Sequence, residues 1–143
     1  MTVQEAPDVL VVEDNPDDVE LTLRALQRMH LTNPVRVARD GVEALEVLLG
    51  DGTTRPPLPR VVLLDLKLPR VGGLEVLARL RQEERTRTLP VVVLTSSREE
   101  PDVKKAYSLG VNSYVVKPVE FEKFVDAVGR VGQYWLLFNL SPA

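Results

Sequence analysis

The chain predicts an α/β domain built on a doubly wound, five-stranded parallel sheet. Three observations carry this. Five short apolar runs are spaced along the 143 residues, a helical period separates each from the next, and most of the runs are nearly continuous rather than alternating. Continuous β-branched runs are typical of parallel strands buried on both faces. The strands are "DVLVV" (8–12), "VRVA" (35–38), "RVVLLDL" (60–66), "PVVVLT" (90–95) and "VNSYVV" (111–116). "VRVA" alternates and is expected to be the least enclosed.

The first helix spans 16–30, with Val19, Leu23, Leu26 and His30 on its apolar stripe. Asn15 is the N-cap, Pro16 fits the first helical position, and Asp17 and Asp18 suit the positive end of the helix dipole. His30 is expected to pack near that helix's end. Residues 41–49 present Val42, Leu45, Leu48 and Leu49, and residues 73–84 present Leu74, Leu77 and Leu80. A fourth helix follows Pro101 and ends at Gly110. A fifth starts near Glu120 and runs through Phe121, Phe124, Val125, Val128, Val131, Trp135 and Phe138. "GDGTTRPPLPR" (50–60) is a Gly/Pro-rich loop. Strand–helix alternation with right-handed crossovers gives the sheet, and the common five-stranded order is 2-1-3-4-5. The domain is expected over 8–135, after a flexible segment 1–7 and before a C-terminal extension 136–143.

Composition narrows the function classes. The chain has no cysteine, so thiol chemistry and disulfides are excluded. A net charge of −3 disfavours nucleic acid as a partner. The densest basic stretch, Arg79, Arg81, Arg85 and Arg87 with Glu83 and Glu84 between, fits the wet face of a helix. No apolar run approaches a membrane span and no signal pattern opens the chain. A cytoplasmic location and no membrane partner are therefore expected.

In a doubly wound sheet, ligands sit outside the carboxyl ends of the strands where the chain order reverses, here between strands 1 and 3. Strand 1 ends in Glu13 and Asp14, and strand 3 ends in Asp65. Three unpartnered carboxylates would raise one another's pKa, and a divalent cation removes that cost. Few carboxylates with open positions favour Mg²⁺. The spacing is not that of an EF-hand, since Pro16 stands third from Asp14 and no glycine stands sixth. Thr95 ends strand 4 and Lys117 ends strand 5, bringing a hydroxyl and an ammonium to the same rim. Acids with Mg²⁺, a hydroxyl and a lysine are what a transferring phosphoryl group needs around its oxygens, and Asp65 is the candidate nucleophile.

With "VVEDN" (11–15), "LLDLKLPRVGG" (63–73), "VVLTSS" (92–97) and "YVVKP" (114–118) in order, the chain resembles a receiver domain of two-component response regulators, a flavodoxin-like fold. The resemblance spans roughly residues 8 to 135. It implies that Asp65 accepts a phosphoryl group from a sensor histidine kinase. Asp14 would bind Mg²⁺ directly, Glu13 largely through water, and Lys67 through its backbone carbonyl. Thr95 and Lys117 would stabilise the phosphoryl oxygens, Thr95 and Tyr114 would form the switch, and the bond before Pro118 would be cis. Many receivers carry a shorter polar residue at the position of Lys67, which leaves the phosphoryl lifetime open. Asp17 and Asp18 are explained by the helix start and are left out of the site. Ser97 with Glu100 offers a capping box.

No DNA-binding motif fits after the receiver, so output is expected by protein contact, as in a stand-alone regulator. Tyr134, Trp135, Leu136, Leu137 and Phe138 cannot all face one core. Tyr134, Trp135 and Phe138 are candidates for a homodimer interface, with Gly129 and Gly132 permitting close backbone approach. The tail and the proline-rich loop resemble single-domain regulators of bacterial phytochrome kinases, which implies such a kinase as partner. Two other classes compete. A phosphatase of the haloacid dehalogenase type would want a second acid two residues after the first, where Lys67 stands. A receiver fold without its chemistry would not keep Asp14, Asp65, Thr95 and Lys117 together.

Overall fold

A computed structural model describes residues 7–53 and 55–140. The expected flexible segment 1–7 lies, apart from Pro7, outside the described residues. Elements follow in the order β1 (Val9–Val12), α1 (Pro16–Arg28), β2 (Val35–Ala38), α2 (Gly41–Leu49), β3 (Val61–Leu64), α3 (Gly73–Gln82), β4 (Val91–Thr95), α4 (Glu100–Ser108), β5 (Ser113–Val116) and α5 (Phe121–Gln133). The five strands form one parallel sheet in the order β2-β1-β3-β4-β5, as expected.

Side-chain alternation along the strands divides the core in two. Leu10, Val12, Val62, Leu64, Val91 and Val93 pack with Ala44, Leu48, Val76, Leu77, Leu80 and Ala106, which come from α2, α3 and α4. Val9, Val11, Val61, Leu63, Val92 and Leu94 pack with Ala25, Leu26, Phe124, Val125 and Val128 of α1 and α5. β1, β3 and β4 are buried throughout. β2 is the partly enclosed edge expected from its alternation. β5 was expected to be enclosed as well but is only half-buried along its length, because it is the opposite edge and has one neighbour.

The helix starts are chemically defined. Asn15 Oδ1 accepts from the N–H groups of Asp17 at 2.9 Å and Asp18 at 3.3 Å, with Pro16 opening α1. Such a cap is worth about 1 kcal/mol. α1 stops two residues earlier than its apolar stripe suggests. His30 adopts φ 60°, its N–H donates to the Gln27 carbonyl, and that of Leu31 donates to Leu26. This is a Schellman closure with histidine in the left-handed position. His30 is therefore exposed, correcting the expectation that it packs, and Leu31 is buried in its place. α4 closes the same way at Gly110, φ 86°, where glycine was expected to end it. α3 ends at Gln82 rather than 84 because Glu84–Thr86 turns into a short 3₁₀ segment.

Arg81 corrects the picture of a wholly solvated basic face. Its guanidinium is partly buried, and it donates to the carbonyls of Thr86, Leu89 and Gly110 and to Asn112 Oδ1. Burial without a carboxylate partner holds its pKa below the ordinary value. It ties the end of α3 to the loop between α4 and β5.

Gly129 and Gly132 do permit close approach, within the chain. A Cβ on Gly129 would lie 2.5 Å from Met29 Cγ, and one on Gly132 would lie 2.6 Å from Leu26 Cδ2. Both glycines are used where α5 packs on α1. The apolar stripe of α5 continues as far as Leu136, buried in a π-type turn over Tyr134–Phe138. The expected boundary at 135/136 thus cuts through a packed turn. Gly41 opens α2 against the loop after β3, where an added Cβ would sit 2.0 Å from the Val71 carbonyl oxygen. Gly41→Ala is expected to lower stability by about 1–3 kcal/mol through overpacking, despite alanine's better helix propensity. Urea denaturation measures this, and an unchanged or raised midpoint contradicts the close packing.

Candidate functional site

Pairing in register makes the site. The last pair between β1 and β3 is Val12 with Leu64, so Glu13 and Asp65 leave the sheet side by side. The Asp65 N–H still donates to the Val12 carbonyl, and that of Glu13 to the Ala38 carbonyl. Alternation turns both side chains to the α1/α5 face. Both are buried, at 4% and 7% exposure, whereas Asp14 is exposed. Carboxylate oxygens of Glu13, Asp14 and Asp65 lie within 4.8 Å of one another. The convergence expected from the fold is present.

Lys117 enters this group from the end of β5. Its backbone N–H donates to the Thr95 carbonyl at 2.7 Å, continuing the β4–β5 ladder by one step. Its Nζ donates to Glu13 Oε1, to Asp18 Oδ2 at 2.8 Å and to Asp65 Oδ2 at 3.1 Å. All three donors of the ammonium are used. The bond before Pro118, expected to be cis, is trans, since no cis peptide bond occurs among the described residues. The trans form is the lower in energy by about 0.5–1 kcal/mol at an X–Pro bond, and with it the ammonium reaches all three acids.

Burial pushes the Glu13 carboxyl up to about 7, the nearby Asp65 charge adds to this, and hydrogen bonds from Lys117 and Asn15 oppose it. Lys117 is also buried, which by itself would lower its pKa. Hydrogen bonds to Asp18 and Glu13 and the charge of Asp65 outweigh burial and raise it. The ammonium is therefore a fixed positive charge among three acids.

Asp18 is the residue that sequence reasoning excluded. It was read as a helix-start acid, and its N–H is indeed capped by Asn15. An acid at this third helical position commonly reaches back to the N-cap N–H. Here Glu13 Oε2 accepts from that N–H, at 3.2 Å, and the Asp18 side chain turns to Lys117 instead. The available signal was position: Asp18 lies in the first turn of α1, which follows directly on the strand end that carries Glu13 and Asp14.

Thr95 is fully buried at the end of β4, and its hydroxyl oxygen accepts from the Ser97 N–H at 3.4 Å. The Tyr114 hydroxyl donates to the Ser97 carbonyl at 2.8 Å, with its ring against the α3/α4 side of the core. Burial raises the Tyr114 pKa, and the charges of Asp102 and Asp65 add to this against the Ser97 bond. The capping box expected of Ser97 and Glu100 is not formed. Ser97 Oγ donates to Asp102 Oδ2 at 2.6 Å and accepts from the Glu99 N–H at 3.3 Å, which ties the strand end to the aspartate in the first turn of α4. Thr95, Ser97, Tyr114 and Asp102 form one connected group. Lys67 is exposed, and its N–H donates to Asp65 Oδ1 at 3.2 Å.

Oxygen-only donors, two buried and one open to solvent, suit a hard divalent cation that retains water. They would hold it through Glu13, Asp14 and Asp65. An arrangement of this kind, at the switch point of a 2-1-3-4-5 sheet, can be set beside known proteins. Residues 9–129 match the family model described as the response regulator receiver domain. The chain is a receiver domain of the response regulator family. Among curated relatives, the probable methanogenesis regulatory protein FilR2 of Methanothrix harundinacea is 47% identical over 94% of this chain and 86% of its own length. The response regulator Rcp1 of Synechocystis is 36% identical over 94% and 92% of the two chains. Its Mn²⁺-bound crystal structure superposes with a TM-score of 0.86 at 34% identity, covering 96% of this chain and all of that one. The bacteriophytochrome response regulator AtBRR is 54% identical, with a TM-score of 0.72 and coverage of 96% and 100%. The receiver is thus a signalling protein of this family rather than an enzyme of another class.

Glu13 gives the receiver a pH signature. Its folded pKa of about 7 exceeds the ordinary 4.5. Its contribution to stability is therefore present below about 4.5 and is lost as pH rises through about 7. Lys117 adds no slope in that window, because its raised pKa matters only above the ordinary lysine range. A cation needs the carboxylate form, so the rise in melting temperature on adding Mg²⁺ is expected to be larger at pH 8 than at pH 6. Thermal scans with and without Mg²⁺ at the two pH values check this, and an equal or larger rise at pH 6 contradicts it.

Proposed function

We propose that this receiver works as a switch that takes a phosphoryl group on Asp65 from the phosphohistidine of a sensor histidine kinase, with Mg²⁺ at Glu13, Asp14 and Asp65. The observation that supports it best is the buried Asp65 carboxylate beside two further acids and the Lys117 ammonium. Aspartate phosphorylation is typical of the family. In the transfer, the phosphorus–nitrogen bond of the donor breaks as a bond to an Asp65 carboxylate oxygen forms. Bound Mg²⁺ would neutralise carboxylate charge and hold phosphoryl oxygens.

The chain's own residues supply the rest. Lys117 is poised to exchange a carboxylate for a phosphoryl oxygen, and the Thr95 hydroxyl to donate to another. The Lys67 backbone carbonyl would add a further oxygen to the cation's protein ligands. The phosphoryl group adds about −1.5 to −2 charges. Drawing Thr95 toward it would disturb the Ser97 contact, and with it the Tyr114 hydrogen bond and the Asp102 anchor at the start of α4. The half-buried β5 edge and α4, whose only fully buried side chain is Ala106, can then change shape at small cost. The change biases an equilibrium between two forms.

We further infer a homodimer and a cytoplasmic setting. Tyr134, Leu137, Phe138 and Leu140 are 52%, 59%, 71% and 91% exposed, an apolar cluster of the kind that marks a contact surface. Trp135, partly buried against the α1/α5 side of the core, supports Tyr134 by an edge-to-face contact at 5.1 Å. No helix among the described residues is long and apolar enough to cross a membrane. The likeness to AtBRR favours a bacterial phytochrome kinase as the phosphoryl donor.

Incubation with acetyl phosphate and Mg²⁺, followed by intact-mass measurement, is expected to give one phosphoryl adduct. The adduct should vanish in Asp65→Asn and drop steeply in Asp14→Ala. An adduct that survives Asp65→Asn assigns the acceptor elsewhere. For the dimer, sedimentation of the wild type against Phe138→Ser is expected to show association weakened about tenfold or more, a loss typical of a well-buried aromatic anchor. A monomeric wild type at high micromolar concentration removes the dimer.

A further inference from the structure

We propose that Asp18 is a positioning residue for Lys117: it retains the ammonium when a divalent cation takes Glu13, Asp14 and Asp65, so that Lys117 neither leaves the site nor competes for the cation's ligands. The inference rests on the reading of those three acids as the cation site.

The geometry carries it. Lys117 Nζ is shared among Glu13, Asp65 and Asp18. Two of those acids belong to the cation cluster and one does not. A cation that arrives needs oxygens that the ammonium now occupies. A lysine is a compact point charge on a flexible stem, and one anchored only by Glu13 and Asp65 would have to give up both or block the cation. The third contact offers an alternative. By keeping the 2.8 Å bond to Asp18, the ammonium can release the two ligands while staying neutralised and close to Asp65.

Local structure leaves Asp18 available for this. Glu13 already serves the Asn15 N–H, and Asn15 serves the first free N–H groups of α1, so the Asp18 carboxylate is not needed as a cap. Its position on α1 is fixed by Val19, Thr22, Ala25 and Leu26, which are buried. The Thr22 hydroxyl donates to the Asp18 carbonyl at 2.8 Å, holding that turn. The neighbour Asp17 is exposed and lies outside the group of Glu13, Asp18 and Asp65 that the ammonium binds, although it brings the same charge to the same turn.

A double-mutant cycle separates positioning from plain charge. Mg²⁺ affinity is measured by calorimetry on the full chain, with no phosphoryl donor present. Asp18→Ala is expected to weaken Mg²⁺ roughly fivefold, because the ammonium then competes for Glu13 and Asp65. Lys117→Met is expected to strengthen it by removing the competitor. In the Lys117→Met background, Asp18→Ala should change the affinity by less than about twofold, since its effect acts through the lysine. Asp17→Ala should match the wild type within about twofold, as expected of an exposed, screened charge. Asp18→Asn, which keeps an acceptor but not the charge, should fall between wild type and Asp18→Ala, and it serves if the alanine variant fails to fold. An equal loss from Asp18→Ala with and without Lys117, or an equal loss from Asp17→Ala, overturns the proposal. Asp14→Ala tests the underlying reading separately: Mg²⁺ binding that survives it refutes the cation site whatever the cycle shows, and a wild type that takes up no Mg²⁺ refutes both.

Discussion

The ammonium of Lys117 among Glu13, Asp18 and Asp65 is the interaction on which the functional end of this molecule depends. Burying carboxylates at the edge of a parallel sheet is costly unless each finds an opposite charge. The sheet supplies this by register: β1 and β3 deliver two acids side by side, and β5, two strands from β3, delivers the lysine after its N–H has paired with the Thr95 carbonyl. The ammonium offsets part of the carboxylate charge without a cation and can give way to another positive group. A site whose counter-charge is replaceable can accept a divalent ion, and then a phosphoryl group, without refolding the elements that present it.

Much of the architecture was legible because the physics is local. Continuous Val and Leu runs marked the buried strands, Asn15 followed by Pro16 marked the start of α1, and Gly110 marked the end of α4. The misses arise where tertiary context overrides sequence pattern. His30 continues a helical spacing, yet the chain turns there, because burying Leu31 against the end of α1 is worth more than extending the helix. β5 has the composition of an inner strand but lies at an edge, which strand order settles and composition does not. Arg81 sits among solvated arginines but faces three carbonyls and an amide oxygen that become its neighbours only when α3, β4 and the α4–β5 loop meet.

The site divides in the same way. Glu13, Asp14, Asp65, Thr95 and Lys117 were legible because each ends a strand, and the carboxyl ends of a doubly wound sheet converge. Asp18 was not, because its residue type already had a sufficient local explanation as a helix-start acid. The explanation was correct for its backbone and incomplete for its side chain. What decided the matter is a hydrogen bond two residues upstream: Glu13 takes the Asn15 N–H, and this releases Asp18 to Lys117. Ser97 shows the same pattern, since its hydroxyl bonds Asp102 in the first turn of α4 and forms no capping box with Glu100.

The two ends of α5 bear differently on signalling. Toward α1 the helix is committed, because Gly129 and Gly132 let it approach Met29, Leu26 and Leu31 too closely for any side chain. That face is a fixed packing surface. Beyond Gln133 the backbone widens into the turn at Tyr134–Phe138, with the Asn139 N–H closing on the Tyr134 carbonyl at 2.8 Å. One residue, Leu136, is turned into the core, while Tyr134, Leu137 and Phe138 are left outward. The glycines that seemed suited to a contact between two chains are spent inside one, and the exposed apolar surface begins only after them. A partner meeting this tail would therefore meet a surface anchored rigidly to α1, the helix that also carries Asp18. An influence of the proposed phosphoryl site on such a contact would then run more naturally through α4 and β5, which are less buried, than through the α1–α5 pair.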